Sequence, residues 1–310
     1  MDYISGWCRS KRRLSGITAI ITGSNTGIGK ETALDFYKRG ARVIMGCRSL
    51  ERAEAAKLDI IQQCDKDEGL GELIVQELDL SKLRSVRDFA NNIIENQEKV
   101  QILVNNAGIM MHPKAKTDDG YEIHMGTNHF GPALLTLLLL PVLRKNTPAR
   151  IVFVSSMLHE KGPIILDDIN FESKTYDSLE AYSKSKAANV LYARALAAKI
   201  KENNIPDLTT YSLHPGVIRT EISRHFSENY FGATWVFDKI LGLFIKSPKC
   251  GAQTTIYCAI DDACAKESGL YYSDCAVKRS SKQTQDDDLA AQFWDLTMEQ
   301  LKLETFNPFS

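Results

Sequence analysis

The chain has 310 residues, 44% of them apolar, with a formal net charge of −1 and a pI near 6.6. That length supports one large α/β domain with a substantial core. The balanced charge offers no global field for nucleic acid or an acidic membrane surface, so no nucleic-acid partner is expected. Seven cysteines (Cys8, Cys47, Cys64, Cys250, Cys258, Cys264 and Cys275) are odd in number and scattered. No CxxC pair or Cys/His cluster has metal-ligand spacing. They read as free thiols of a reducing compartment, and no metal is expected.

Residues 1–15 form a basic arm in which Arg9, Lys11, Arg12 and Arg13 follow a short apolar stretch. No apolar core of a secretory signal comes after them. A solvated arm is the simpler reading, and peripheral contact with an anionic membrane surface is the alternative. From residue 17 onward, short β-branched runs alternate with longer helical stretches. The expected strands are 17–22, 42–46, 73–78, 101–105, 150–155, 208–213 and 270–273, and helical patterns occupy 30–39, 50–63, 82–96 and 181–202. Such alternation implies βαβ units. The expected fold is therefore a single doubly wound α/β domain of Rossmann type, a parallel seven-stranded sheet with helices on both faces, over residues 16–280. No repeat or low-complexity linker divides it. The longest apolar run, 133–143, is interrupted by Thr136 and Pro141 and falls short of the roughly 20 residues of a spanning helix. A cytoplasmic protein, or one resting on the cytosolic face of a membrane, is expected. Residues 281–310 read as an acidic loop and a helix with no assignable role.

The first strand runs into Thr22-Gly23-Ser24-Asn25-Thr26-Gly27-Ile28-Gly29-Lys30, and a helix follows. Glycines there permit a tight turn, close backbone approach to a pyrophosphate and close helix–strand packing, while the helix N-terminus offers free N–H groups. At the end of the second strand, where a carboxylate would select NAD, stand Cys47 and Arg48. A missing acid and a guanidinium suit the 2′-phosphate of NADP. In Tyr182-Ser-Lys-Ser-Lys186, residues four apart share one helix face. An ammonium beside a phenol is expected to lower the phenol's pKa from about 10, making Tyr182 a general acid–base.

TGxxxGIG, NNAG (105–108) and Tyr182xxxLys186, in that order on those elements, resemble the short-chain dehydrogenase/reductase family over residues 17–220. That resemblance implies an oxidoreductase with Asn128, Ser156, Tyr182 and Lys186 as its catalytic set. Ser156 would polarise a carbonyl and Asn128 would hold a water in a proton relay with Lys186. It implies cofactor contacts from Gly23, Ser24, Asn25, Gly27, Ile28, Gly29, Arg48, Asp79, Leu80, Asn106, Tyr182, Lys186, Ile218 and Thr220, with NADP(H) as cofactor. Narrower strings, such as NNAGIMM, TDDGYEIHMGTNHFGPALLT, LHPGVIRTEI and SGLYYSDC, resemble the retinol dehydrogenase branch. They imply a small lipophilic carbonyl or alcohol substrate, retinal/retinol first, with steroid or lipid-derived carbonyls as the alternative. A non-catalytic NADP(H)-binding scaffold or redox sensor is the reading outside enzymology. The apolar segment 230–246 is expected either to line the substrate site or to pack in the core. The family also implies homodimers or tetramers built on the helices at 120–143 and 181–202.

Overall fold

The computed structural model describes residues 2, 5–97, 99–173, 175–218 and 246–309. Each β-branched run becomes a strand and each helical pattern a helix. The first half runs β1 (Thr18–Thr22), α1 (Gly27–Lys38), β2 (Arg42–Cys47), α2 (Leu50–Gln63), β3 (Glu72–Glu77), α3 (Leu83–Asn96) and β4 (Ile102–Asn105). The second half runs α4 (Ile123–Lys145), β5 (Ala149–Val154), α5 (Ser178–Glu202), β6 (Leu208–Leu213), α6 (Pro248–Ile260), β7 (Leu270–Ser273), β8 (Ala276–Val277) and α7 (Asp287–Gln300). Strands β1, β4, β5 and β6 are buried along their whole length. That is why they read as almost unbroken apolar or β-branched runs rather than as alternation.

The sheet order is β3-β2-β1-β4-β5-β6-β7-β8. The first seven strands in sequence are parallel, and β8 adds an antiparallel edge to β7. The expected seven strands are thus joined by an eighth, whose two residues are too few to show any periodicity. The order reverses between β1 and β4, so the connections leave these strands in opposite directions and open a crevice at their carboxyl ends. Two apolar layers flank the sheet. One packs Phe36 of α1, Ile60 of α2 and Ile256 of α6. The other packs Phe89 of α3, Leu134 of α4, Leu196 of α5 and Phe293 of α7.

Helix α4 is long and apolar enough to cross a membrane, but 78% of its most apolar window is buried in the fold. Its apolar character follows from burial on nearly every side. The chain continues helically through Pro141 and contains a π-helical turn, Gly126–Phe130. The C-terminal residues belong to the core: Trp294 stacks on Tyr192 with centroids 5.4 Å apart. Helix α7 therefore covers part of the α5 flank. The basic arm is tied down too, with the Arg13 guanidinium donating to the Lys38 and Gly69 carbonyls. Residues 219–245, which include Thr220 and nearly all of the apolar segment 230–246, lie outside the described residues.

Candidate active site

The crevice between β1 and β4 gathers most of the sequence-derived residues. The turn after β1 carries Gly23 and Gly27 at positive φ, 65° and 56°. The Ser24 hydroxyl donates to the Ile21 carbonyl at 3.1 Å and faces Cys47 Sγ at 3.7 Å. Gly29 is indispensable for close approach: a Cβ there would lie 2.5 Å from Asn106 Nδ2 and 2.6 Å from the Gly23 carbonyl oxygen. Asn106 is the reason for that crowding. Its amide donates to the Thr22 carbonyl at 2.8 Å, and the Thr22 hydroxyl accepts from the backbone N–H groups of Asn106 and Ala107, both at 3.0 Å. The turn after β4 thus braces the turn after β1.

Helix α1 begins without a side-chain cap at Thr26 and without an acidic residue in its first turn. Its first N–H groups, beside half-buried Asn25, Gly27 and Ile28, are suited to an anion such as a pyrophosphate. At the tip of β2, Arg48 is exposed with no ion-pair partner among the described residues, while Cys47 is buried. Past β3, the Asp79 carboxylate accepts from the Ser81 amide and hydroxyl at 3.0 and 2.6 Å, which orders the turn, and Leu80 is buried beneath it. Ile218 pairs with Lys246 and reaches the α6 N-terminal turn near Gly251. These residues, together with the turn, fit a dinucleotide lying along the carboxyl edge of the sheet.

Asn128 sits on the π-helical turn of α4, fully buried. Its Oδ1 accepts from the Ile109 N–H at 2.8 Å, and its Nδ2 donates to the Ile109 carbonyl and to Ser185 Oγ, both at 2.9 Å. One amide side chain therefore clamps the irregular segment after β4 to both α4 and α5. A π turn often marks a functional position, and here it aims Asn128 inward.

The remaining groups come from β5 and α5. Ser156 caps the short turn after β5, its hydroxyl oxygen accepting from the Leu158 N–H at 3.2 Å. The Ser156 side chain stands beside the Tyr182 phenol, which is 5% exposed. Ser155 points the other way and donates to the Lys186 carbonyl at 2.7 Å. Lys186 Nζ donates to the Val154 carbonyl at 2.9 Å and lies 5.8 Å from the Tyr182 ring centre. The bare backbone of Gly108 lets this ammonium close in, since a Cβ there would lie 3.1 Å from Nζ and 3.2 Å from Asn128 Oδ1. Lys184 faces away, donating to the Asp168 carbonyl and resting on Phe171.

Sequence reasoning has Lys186 lowering the Tyr182 pKa; in the fold, burial wins and pushes the phenol up to about 12, opposed only by the neighbouring Ser156 side chain. Burial likewise pushes the Lys186 ammonium down to about 8. Both shifts favour the uncharged form, as desolvation must.

Two buried features have no signal in sequence spacing. His124 is wholly buried, its Nδ1 2.8 Å from the Glu122 carboxylate and its Nε2 accepting from the His112 N–H at 3.1 Å. Its ring meets that of Tyr182 edge-on at 6.3 Å. His159 donates from Nδ1 to the Ser156 carbonyl at 2.8 Å. The contacts of His124 with His112 and Tyr182 join segments whose proximity only the fold creates.

The family model for short chain dehydrogenases matches residues 17–230. Retinol dehydrogenase 11 of Homo sapiens is 40% identical over 299 residues, covering 96% of this chain and 90% of its own. Retinol dehydrogenase 14 of Homo sapiens is 41% identical over 293 residues, covering 92% and 86%. A solved structure of an uncharacterised protein from Mycobacterium paratuberculosis superposes with a TM-score of 0.75 at 32% identity, over 96% of this chain and 98% of that one. A short-chain type dehydrogenase/reductase from Mycobacterium marinum shares the fold at 23% identity, with a TM-score of 0.66 over 84% and 94% of the two chains. Matched by its family model over two thirds of its length and by these relatives over nearly all of it, the chain belongs to the short-chain dehydrogenase family, on its retinol dehydrogenase branch.

Proposed function

We propose that this protein is an NADP(H)-dependent oxidoreductase that interconverts a lipophilic aldehyde or ketone and its alcohol, with retinal and retinol as the leading pair. The observation that carries the reading is the buried Tyr182 phenol beside Ser156, with Lys186 one turn along the same helix. The turn residues Gly23, Ser24, Asn25, Gly27, Ile28 and Gly29 would hold the pyrophosphate, with Asp79 and Leu80 toward the adenine. Asn106 braces that cradle, and Lys186, Ile218 and Thr220 would serve the nicotinamide end. When bound, the nicotinamide supplies or accepts the hydride.

The protein's share is to polarise and to move a proton. Ser156 and Tyr182 donate hydrogen bonds to the carbonyl oxygen as negative charge develops there, and Tyr182 gives up its proton. A phenol held near a pKa of 12 stays protonated at neutral pH, which supports reduction as the working direction. Lys186, held near 8, has a proton it can pass on, and Asn128 fixes the segment against which that ammonium lies. For NADP over NAD the support is Arg48, exposed at the β2 tip where no carboxylate stands. For a lipophilic substrate it is the relatives' activity and the exposed Met157 and Val217, next in sequence to Ser156 and Ile218, with Leu179 three residues before Tyr182 on α5.

NADPH consumption by the purified protein with all-trans-retinal, beside Tyr182→Phe, tests the reading. Turnover that drops at least about a hundredfold in the variant is expected. Turnover that persists in the variant overturns the role of Tyr182. A wild type that binds NADPH but reduces neither retinal nor steroid or lipid-derived carbonyls overturns the enzymatic reading.

A further inference from the structure

Residues 281–300 reach the site through two buried histidines. At the first, the Ser281 N–H donates to His159 Nε2 at 3.1 Å. A backbone N–H can only donate, so Nε2 is the acceptor and Nδ1 carries the proton given to the Ser156 carbonyl. Gln283 fastens the same loop, accepting from the Ile164 N–H at 3.0 Å and donating to the Gly162 carbonyl at 2.6 Å.

At the second, the Asn189 amide donates from Nδ2 to the Asn128 carbonyl at 3.0 Å, which leaves Oδ1 facing His129 Nδ1 at 3.3 Å. The reverse orientation of Asn189 would set two oxygens against each other. His129 Nδ1 must therefore carry the proton, and Nε2 accepts from the Thr297 hydroxyl at 3.2 Å, a proton shared with the Phe293 carbonyl. The resulting chain runs one way, from Thr297 to His129 to Asn189 to Asn128. His129 and Thr297 are wholly buried, and Asn189 is 2% exposed. Burial pushes the His129 pKa down to about 3 and lowers that of His159, so both rings stay neutral and keep one donor and one acceptor each.

We infer that the C-terminal segment 281–300 is a positioning element of the active site, setting Ser156 through His159 and Asn128 through His129 and Asn189. The inference rests on the proposed roles of Ser156 and Asn128, and it gives a task to a stretch that sequence alone left without one. Loss of a buried hydrogen bond in such a chain loosens the group at its end by roughly tenfold.

The test compares Thr297→Val with Thr297→Ser, and His159→Leu with wild type, by amide hydrogen exchange and by steady-state kinetics. Thr297→Val is expected to speed exchange of the Ile109 amide, which bonds Asn128, about tenfold, with the β2 amides unchanged and Thr297→Ser within about twofold of wild type. His159→Leu should do the same to the Leu158 amide, which bonds Ser156. In each case kcat for carbonyl reduction should fall about tenfold with little change in KM. A lowered Tm without change in these amides or in kcat overturns the inference. Loosened amides in a protein whose wild type reduces no carbonyl would overturn the proposed function and leave the positioning standing.

Discussion

Asn128 offers the sharpest test of the site's architecture. Replacing it by Ala removes three hydrogen bonds of 2.8–2.9 Å and leaves the N–H and C=O of Ile109 without their partner. Ser185 loses a donor but keeps its own bond to the Tyr182 carbonyl at 2.7 Å, so its share is small. Orphaning a buried backbone group costs about 1–3 kcal/mol. Ile109 is only half-buried, which places the two groups at the lower end and the total at about 2–4 kcal/mol. With an unfolding entropy of about 2.1 cal/mol/K per residue, the 310 residues convert that to a fall in Tm of about 3–6 °C. Asn128→Asp separates the two prongs of the clamp. A carboxylate still accepts from the Ile109 N–H, but its second oxygen confronts the Ile109 carbonyl, an acceptor, and Ser185 Oγ, whose one proton already goes to the Tyr182 carbonyl. Asp should therefore be at least as damaging as Ala. Thermal unfolding of both variants, with NADPH-dependent turnover alongside, reads the outcome. An Asp variant more stable than the Ala variant would refute the two-pronged clamp.

Three further outcomes follow from the same geometry. Because Lys186 is held near a pKa of 8, its ammonium is intact below that pH and loses its proton above it; kcat for reduction should fall as pH rises through about 8, and a profile flat to about pH 10 would remove Lys186 from the proton path. Arg48→Ala should weaken NADPH binding about 10- to 100-fold while leaving NADH unchanged, as expected for loss of a charge-assisted phosphate contact; equal effects on both cofactors in fluorescence titration would refute the choice of NADP. Gly29→Ala places a Cβ 2.5 Å from Asn106 Nδ2, so α1 must move off the turn and NADPH affinity should drop at least about tenfold; unaltered affinity would mean that the turn does not contact the cofactor.

Much of the site was legible in the sequence because its chemistry depends on local spacing. TGxxxGIG needs only a strand, a turn and a helix in succession, and Tyr182 and Lys186 share a face by helical geometry alone. Strand positions were legible to within about a residue, since strands buried on both faces are nearly continuous in apolar or β-branched residues. The misjudged quantity was electrostatic. Spacing puts an ammonium one turn from the phenol, but it does not reveal that both are desolvated or that Lys186 Nζ turns to the Val154 carbonyl. The short β8 was missed for lack of residues, and the π turn at Asn128 because no spacing rule encodes it.

The sequence by itself therefore determined the order of elements, the glycine-rich turn and the placing of Tyr182 and Lys186 on one helix face, all of which are set by interactions within a few residues. Only the tertiary structure decided how strongly each group is desolvated, that Asn106 and Asn128 act as clamps on neighbouring turns, and that residues 281–300 reach Ser156 and Asn128 through His159 and His129. Those contacts join residues up to 168 positions apart, as His129 and Thr297 are. Burial and long-range hydrogen bonding depend on which surfaces the packed helices bring together, and neither leaves a periodicity for a sequence to show.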